Sequence, residues 1–242
     1  MTMIFDNLQQ VDARIRAACE ACGRDVSTVR LLAVSKTVSP DAVRAAMSAG
    51  QAAFGENYIQ EGVEKILALQ AEPAPHAAGA AARPEWHCIG PIQSNKTRLV
   101  AAHFDWVQSV DRLKIAERLS EQRPDGLPPL QICLQVNIDG GANKSGLAPD
   151  EVLEFAEAVA KLPRIVLRGL MAIPEPAPDF DTACAVHAEA RALFDAVNAS
   201  SVLPAAMDTL SLGMTADLEA AIHAGSTMVR IGTAIFGSRA AA

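Results

Sequence analysis

The sequence predicts an α/β protein built as a (β/α)8 TIM barrel, and three observations carry that prediction. Eight short apolar runs alternate with amphipathic segments along 242 residues, the size and rhythm of such a barrel. Several runs are continuously apolar rather than alternating, as parallel strands covered by helices are. Helix punctuation stands between the runs, with serine and proline at openings and glycine at closings. An open doubly wound sheet is the competing fold. It usually has a glycine-rich turn after its first strand, and "AVSKTVSP" has no glycine there.

After an initial helix, strands are predicted at 31–35 (LLAVS), 52–54 (AAF), 86–89 (WHCI), 105–110 (DWVQSV), 130–136 (LQICLQV), 165–172 (IVLRGLMA), 208–212 (DTLSL) and 227–231 (TMVRI). The helix after the first strand opens on Ser39-Pro40 and closes at Gly50, a serine cap, a first-turn proline and a glycine stop. "LAPDEVLEFAEAVAKLP" carries acids in its first turn and Lys161 in its last, which suits the helix dipole. Residues 71–84, "AEPAPHAAGAAARP", hold almost no large apolar side chain. A flexible surface insert is expected there, with His76 solvated within it. The tail, 238–242, is expected to fray. The chain as a whole, 1–242, reads as a single domain.

Composition excludes several function classes. The net charge of −7 has the wrong sign for sequence-independent nucleic-acid binding. No apolar run approaches the roughly 20 residues of a membrane span. The opening "MTMIFDNLQQVDARIR" has no basic stretch followed by an apolar one, so no secretory leader and a cytoplasmic location are expected. Cys19, Cys22, Cys88, Cys133 and Cys184 form an odd, scattered set that suits reduced thiols. Cys19 and Cys22 make a C-x-x-C near a helix end with no second pair, so small packed side chains are expected rather than a zinc or redox pair. His87, His103, His187 and His223 share no ligand spacing, and no metal site is expected.

In a barrel of this kind, reactive groups project from the C-terminal ends of the strands. Lys36 stands at the end of the first, where a buried run gives out and a helix is about to open. The seventh and eighth strands lead into "SLGMTAD" and "RIGTAIFG", where Ser211, Gly213, Gly232 and Thr233 offer hydroxyls and freed backbone amides. Together with a helix start these make an anion site, at the place where barrels usually hold phosphate. Arg230 precedes Gly232 by two residues, so strand alternation points both the same way. A partly desolvated lysine amine can form an imine with an aldehyde. A small phosphorylated aldehyde spanning Lys36 and Gly232/Thr233 fits the pattern. Pyridoxal 5′-phosphate (PLP) is one such molecule, and the substrate of a sugar-phosphate Schiff-base aldolase is another.

The motifs "LLAVSKT", "FGENYIQE", "WHCIGPIQSNK", "FDWVQSVDRLKIAERL", "NKSGL", "LRGLMAIP", "LSLGMTADLEAAI" and "GSTMVRIGTAIFG" stand in this order. In them the chain resembles the YggS/PROSC family of pyridoxal-phosphate homeostasis proteins, from about residue 5 to 237 without the 71–84 insert. The resemblance implies a barrel similar to the N-terminal domain of alanine racemase, with PLP held as an internal aldimine. It implies that Lys36 is the Schiff-base lysine and Arg230 the partner of the pyridine nitrogen. Ser211, Gly232 and Thr233 become phosphate contacts, and Asn57 and Met214 line the cofactor. Thr215 stands where many relatives are expected to have serine.

The implied role is PLP binding, buffering or delivery, with transient contact to apo PLP-dependent enzymes and no catalytic residues. A PLP-dependent amino-acid racemase is the alternative. Racemases of this fold take a second base, a tyrosine, from an additional β-domain of a partner subunit. This chain ends just after its eighth strand, so that domain is expected to be missing and the protein to be a monomer. Its only tyrosine, Tyr58, is expected to pack at the start of a helix. An arginine has no acceptor, so the pyridine nitrogen facing Arg230 stays unprotonated and PLP becomes a poorer electron sink. Lys144, in "GGANKSG", reads as a solvated lysine, with a second PLP contact as the alternative. Lys96 is expected to flank the helix after the third strand, and Asp139, Glu175 and Asp217 to be solvated.

Overall fold

The apolar runs become parallel strands because each buries both faces, one toward the barrel interior and one toward a shell of helices. The computed structural model describes residues 2–71, 83–141, 144–200 and 202–237. Its strands are β1 (Arg30–Val34), β2 (Ala53–Glu56), β3 (Glu85–Cys88), β4 (Trp106–Val110), β5 (Leu130–Val136), β6 (Ile165–Ala172), β7 (Thr209–Ser211) and β8 (Met228–Ile231). They pair in chain order and close β8 onto β1, with every pairing parallel. The TIM barrel expected from the sequence is the fold of the protein.

Helices α1 (Thr2–Ala21), α2 (Pro40–Ser48), α3 (Ile59–Ala71), α4 (Thr97–His103), α5 (Leu113–Gln122), α6 (Val152–Ala160), α7 (Phe180–Ala199), α8 (Leu218–His223) and α9 (Thr233–Phe236) surround the sheet. The caps behave as the sequence indicates. The Ser39 side chain accepts from the Ala42 amide at the start of α2, and Gly50 closes it at φ 97°, a left-handed conformation that glycine adopts without strain. Lys161 caps α6 and pairs with Glu157 at 2.7 Å.

Strand parity sorts the side chains. Ala33, Phe54, Trp86, Val107, Ile132, Leu134, Leu170, Leu210, Val229 and Ile231 join the large core between sheet and helices. Burying each aliphatic side chain there stabilises the fold by about 1.5–3 kcal/mol. Residues of the opposite parity fill the barrel itself. Leu32, Ala53 and Met228 form one small apolar cluster and Trp106, Cys133 and Met171 another.

Of the expected 71–84 insert, residues 72–82, His76 included, lie outside the described residues, as does the tail from 238. At its described ends, Ala71 is the last residue of α3 and Arg83 pairs with Asp105 at 3.1 Å. Among the described residues no helix is long and apolar enough to cross a membrane.

Candidate functional site

Lys36 stands two residues beyond β1, on the parity of Leu32 and Val34, at the barrel mouth. It lines a cavity of about 280 Å³ together with Val34, Thr37, Ser39, Gly232 and Thr233. The first and last strands thus bring the lysine and the glycine-threonine turn to one space. Gly232 lies against the end of β1: a Cβ there would come within 3.1 Å of the Val34 carbonyl oxygen and 3.3 Å of Val34 Cβ. Thr233 then opens α9, whose first-turn amides have no acceptor within the helix.

Arg230, two residues before Gly232, is buried inside the barrel. Its guanidinium donates through Nη1 to the Ser211 carbonyl at 2.6 Å and hydroxyl at 2.8 Å, and through Nη2 to the Ala172 carbonyl at 2.8 Å. Burial pulls its pKa down to about 10, which still leaves it a cation at neutral pH. The Ser211 hydroxyl donates in turn to Gln108 Oε1 at 2.7 Å, and Gln108 Nε2 lies 2.9 Å from His87 Nδ1. His87 Nε2 reaches Glu85 Oε1 at 2.8 Å, and Arg30 pairs with the same oxygen at 2.7 Å. With Nδ1 accepting from the Gln108 amide, His87 is the neutral tautomer that donates from Nε2. A one-directional chain of hydrogen bonds therefore crosses the barrel from Arg230 to Glu85.

Ser211, expected to touch a phosphate, is engaged within the barrel in this structure. Its side chain is fully buried, and its hydroxyl is committed to Gln108 and Arg230. Gln108 and His87, neither of them an expected site residue, are the other members of the chain. Polar residues within a predicted central strand were the available signal.

The remaining expected residues lie around the mouth rather than in the cavity. Asn57 is half-buried at the end of β2, and Gly90 approaches its carbonyl so closely that a Cβ would sit 2.1 Å from it. Met214 follows β7 at 39% exposure, and its amide donates to Asp217 at 2.7 Å. Asp217 also accepts from His187 Nε2 at 2.9 Å, so it is not the solvated carboxylate expected. Lys144 also departs from expectation. It pairs with Asp139 at 2.6 Å and Glu175 at 3.1 Å, which binds it into the rim instead of leaving it solvated. Lys96 reaches Gln60 at 3.3 Å. Tyr58 is 55% exposed and does not pack as expected.

A buried ionic cluster that sequence reasoning missed lies behind Lys36. Glu56 ends β2 with outward parity and meets Lys65 of α3, Nζ to Oε1 at 2.7 Å, with side chains 0% and 3% exposed. Lys65 also donates to the Ser35 carbonyl at 2.7 Å and to Glu61 at 3.1 Å. Burial raises the Glu56 pKa, and the Lys65 charge opposes that rise. Glu61 and Lys65, four residues apart on a helix, read as an ordinary surface pair. Only the glutamate arriving from β2 draws the lysine inside. Among the described residues no three histidines, cysteines or carboxylates gather as metal ligands would.

The chain is similar to several known proteins. Residues 7–240 match the family model "Alanine racemase, N-terminal domain". The pyridoxal phosphate homeostasis protein of Pseudomonas aeruginosa is 55% identical, over 99% of this chain and 97% of its own length. The protein of that name from Vibrio cholerae is 52% identical, over 99% and 98%. The structure of PipY from Synechococcus elongatus with PLP bound superposes with a TM-score of 0.80 at 31% identity, over 97% of this chain and all of that one.

Proposed function

The chain belongs to the alanine racemase N-terminal domain family, and on that premise we propose that it binds PLP at the barrel mouth and serves intracellular PLP homeostasis. The observation that carries the proposal is the shared cavity of Lys36, Gly232 and Thr233. PLP brings an aldehyde, which condenses with an amine with loss of water, and a phosphate dianion. The residues present fit both ends. Lys36 offers the amine. The Gly232-Thr233 turn offers amides and a hydroxyl for the phosphate, and glycine keeps the turn close to β1. Arg230 is held as a cation to face the pyridine nitrogen, with Ser211 and Gln108 fixing its plane. Asn57 and Met214 complete the rim.

Carrier function is favoured over amino-acid racemisation. The names of the close relatives support it, as does Arg230, which can donate to the pyridine nitrogen but cannot protonate it at neutral pH. The proposal includes a cytoplasmic monomer that meets apo PLP enzymes transiently. Mixing PLP-loaded protein with an apo PLP enzyme tests it. Recovery of that enzyme's activity faster than free PLP is released is expected, and no recovery beyond that rate contradicts delivery.

A further inference from the structure

Resting on that reading, we propose that Glu61, with the buried Lys65–Glu56 pair behind it, is a positioning residue that sets the aim of Lys36. The backbone on both sides of the lysine is tied to α3 and to the end of β2. Before it, the Ser35 carbonyl accepts from Lys65 Nζ at 2.7 Å and the Ser35 hydroxyl donates to Glu56 Oε1 at 2.6 Å. After it, the Thr37 amide donates to Glu61 Oε1 at 2.6 Å. Lys65 joins the two ties by reaching Glu61 as well, at 3.1 Å.

The backbone at Thr37 shows what the second tie accomplishes. Thr37 has φ 60°, a left-handed conformation that a β-branched residue takes only under constraint. That turn reverses the chain between the strand and α2 immediately after Lys36. Without the Glu61 acceptor, the Thr37 amide loses its fixed direction and the turn can relax toward ordinary dihedrals, swinging the Lys36 side chain. Ser35, with outward parity, is drawn into the helix shell, so Lys36 is left facing the mouth. Glu61 itself is one-third exposed and holds two groups, the Thr37 amide and the Lys65 ammonium.

The test compares PLP with pyridoxine 5′-phosphate, which has the same ring and phosphate but no aldehyde and so cannot form an imine. Glu61→Ala should weaken PLP binding by about tenfold or more and leave pyridoxine 5′-phosphate within about twofold. Glu61→Gln, which keeps an acceptor oxygen, should restore PLP binding. Ser35→Ala, which removes one bond of the other tie, should shift PLP in the same direction, and melting curves would verify that each variant is folded. Unchanged PLP binding in folded Glu61→Ala, or equal losses for both vitamers, overturns the positioning role. A wild-type protein that binds the two vitamers equally would instead overturn the reading of Lys36 on which the proposal rests.

Discussion

Arg230 donates through one nitrogen to both oxygens of Ser211, the carbonyl at 2.6 Å and the hydroxyl at 2.8 Å, entirely within the barrel. A serine so placed orients the arginine, and we propose that this, rather than contact with a phosphate, is its role. Ser211→Ala should therefore destabilise the fold by about 1–3 kcal/mol, since it leaves Gln108 and Arg230 each short of a partner. It should leave the preference for PLP over pyridoxal intact. Denaturant midpoints and titrations with the two vitamers check both halves. Loss of the preference without loss of stability would return Ser211 to the phosphate.

Gly232 and Thr233 carry the phosphate in this account. A Cβ at Gly232 would press on the backbone of Val34, and a strand inside a closed barrel yields little. Gly232→Ala should reduce PLP affinity by about tenfold or more while changing pyridoxal affinity far less. Isothermal titration with each vitamer measures this. Equal affinity of the wild-type protein for PLP and pyridoxal would remove the anion site.

The polar chain across the barrel predicts a particular acid response. Burial works against the Glu85 charge, but His87 and Arg30 outweigh it and hold the carboxyl at about 2, below its ordinary 4.5. The unfolded chain therefore takes up that proton first, and the stabilisation is present above about pH 4.5 and lost as pH falls toward 2. Burial also lowers the His87 pKa from its ordinary 6.5, so stability begins to fall as pH drops through that value. Unfolding free energy measured from pH 7 downward should decline first through His87 and then, below about pH 4.5, through Glu85. Glu85→Gln should flatten the part below pH 4.5, and an unchanged slope there would contradict the pairing.

Sustained racemisation is not expected. Incubation of the PLP-loaded protein with L-alanine, followed by chiral chromatography, should show no D-alanine above a buffer-with-PLP control. A positioned general base is worth about 10²–10⁴-fold, so a second base facing Lys36 would reveal itself clearly. D-alanine formation abolished by Lys36→Ala would make the protein an enzyme.

The barrel was legible because parallel strands buried on both faces leave continuous apolar runs, and because Ser39-Pro40 and Gly50 punctuate as isolated helices do. Lys36, Gly232 and Thr233 were legible because position at a strand's C-terminal end depends on topology alone. What escaped were the pairings that parity and packing decide together. The second strand was expected to stop at Phe54, yet it runs on through Gly55 and Glu56, because Lys65 makes a buried glutamate tolerable. Ser211 stood near the end of the predicted seventh strand, and its parity turns it inward to Gln108. Lys144 sat on a glycine-rich loop, where neither Asp139 nor Glu175 announces that it will fold back on the lysine.

Borohydride reduction locates the amine that captures PLP, which we propose is Lys36. Treating the PLP-loaded protein with borohydride converts the carbon–nitrogen double bond into a stable secondary amine, which peptide mapping by mass spectrometry then locates. The pyridoxyl group is expected on Lys36, with Lys36→Ala folded but lacking the modification. A pyridoxyl group found mainly on Lys96 or Lys144, or modification undiminished in Lys36→Ala, would contradict it.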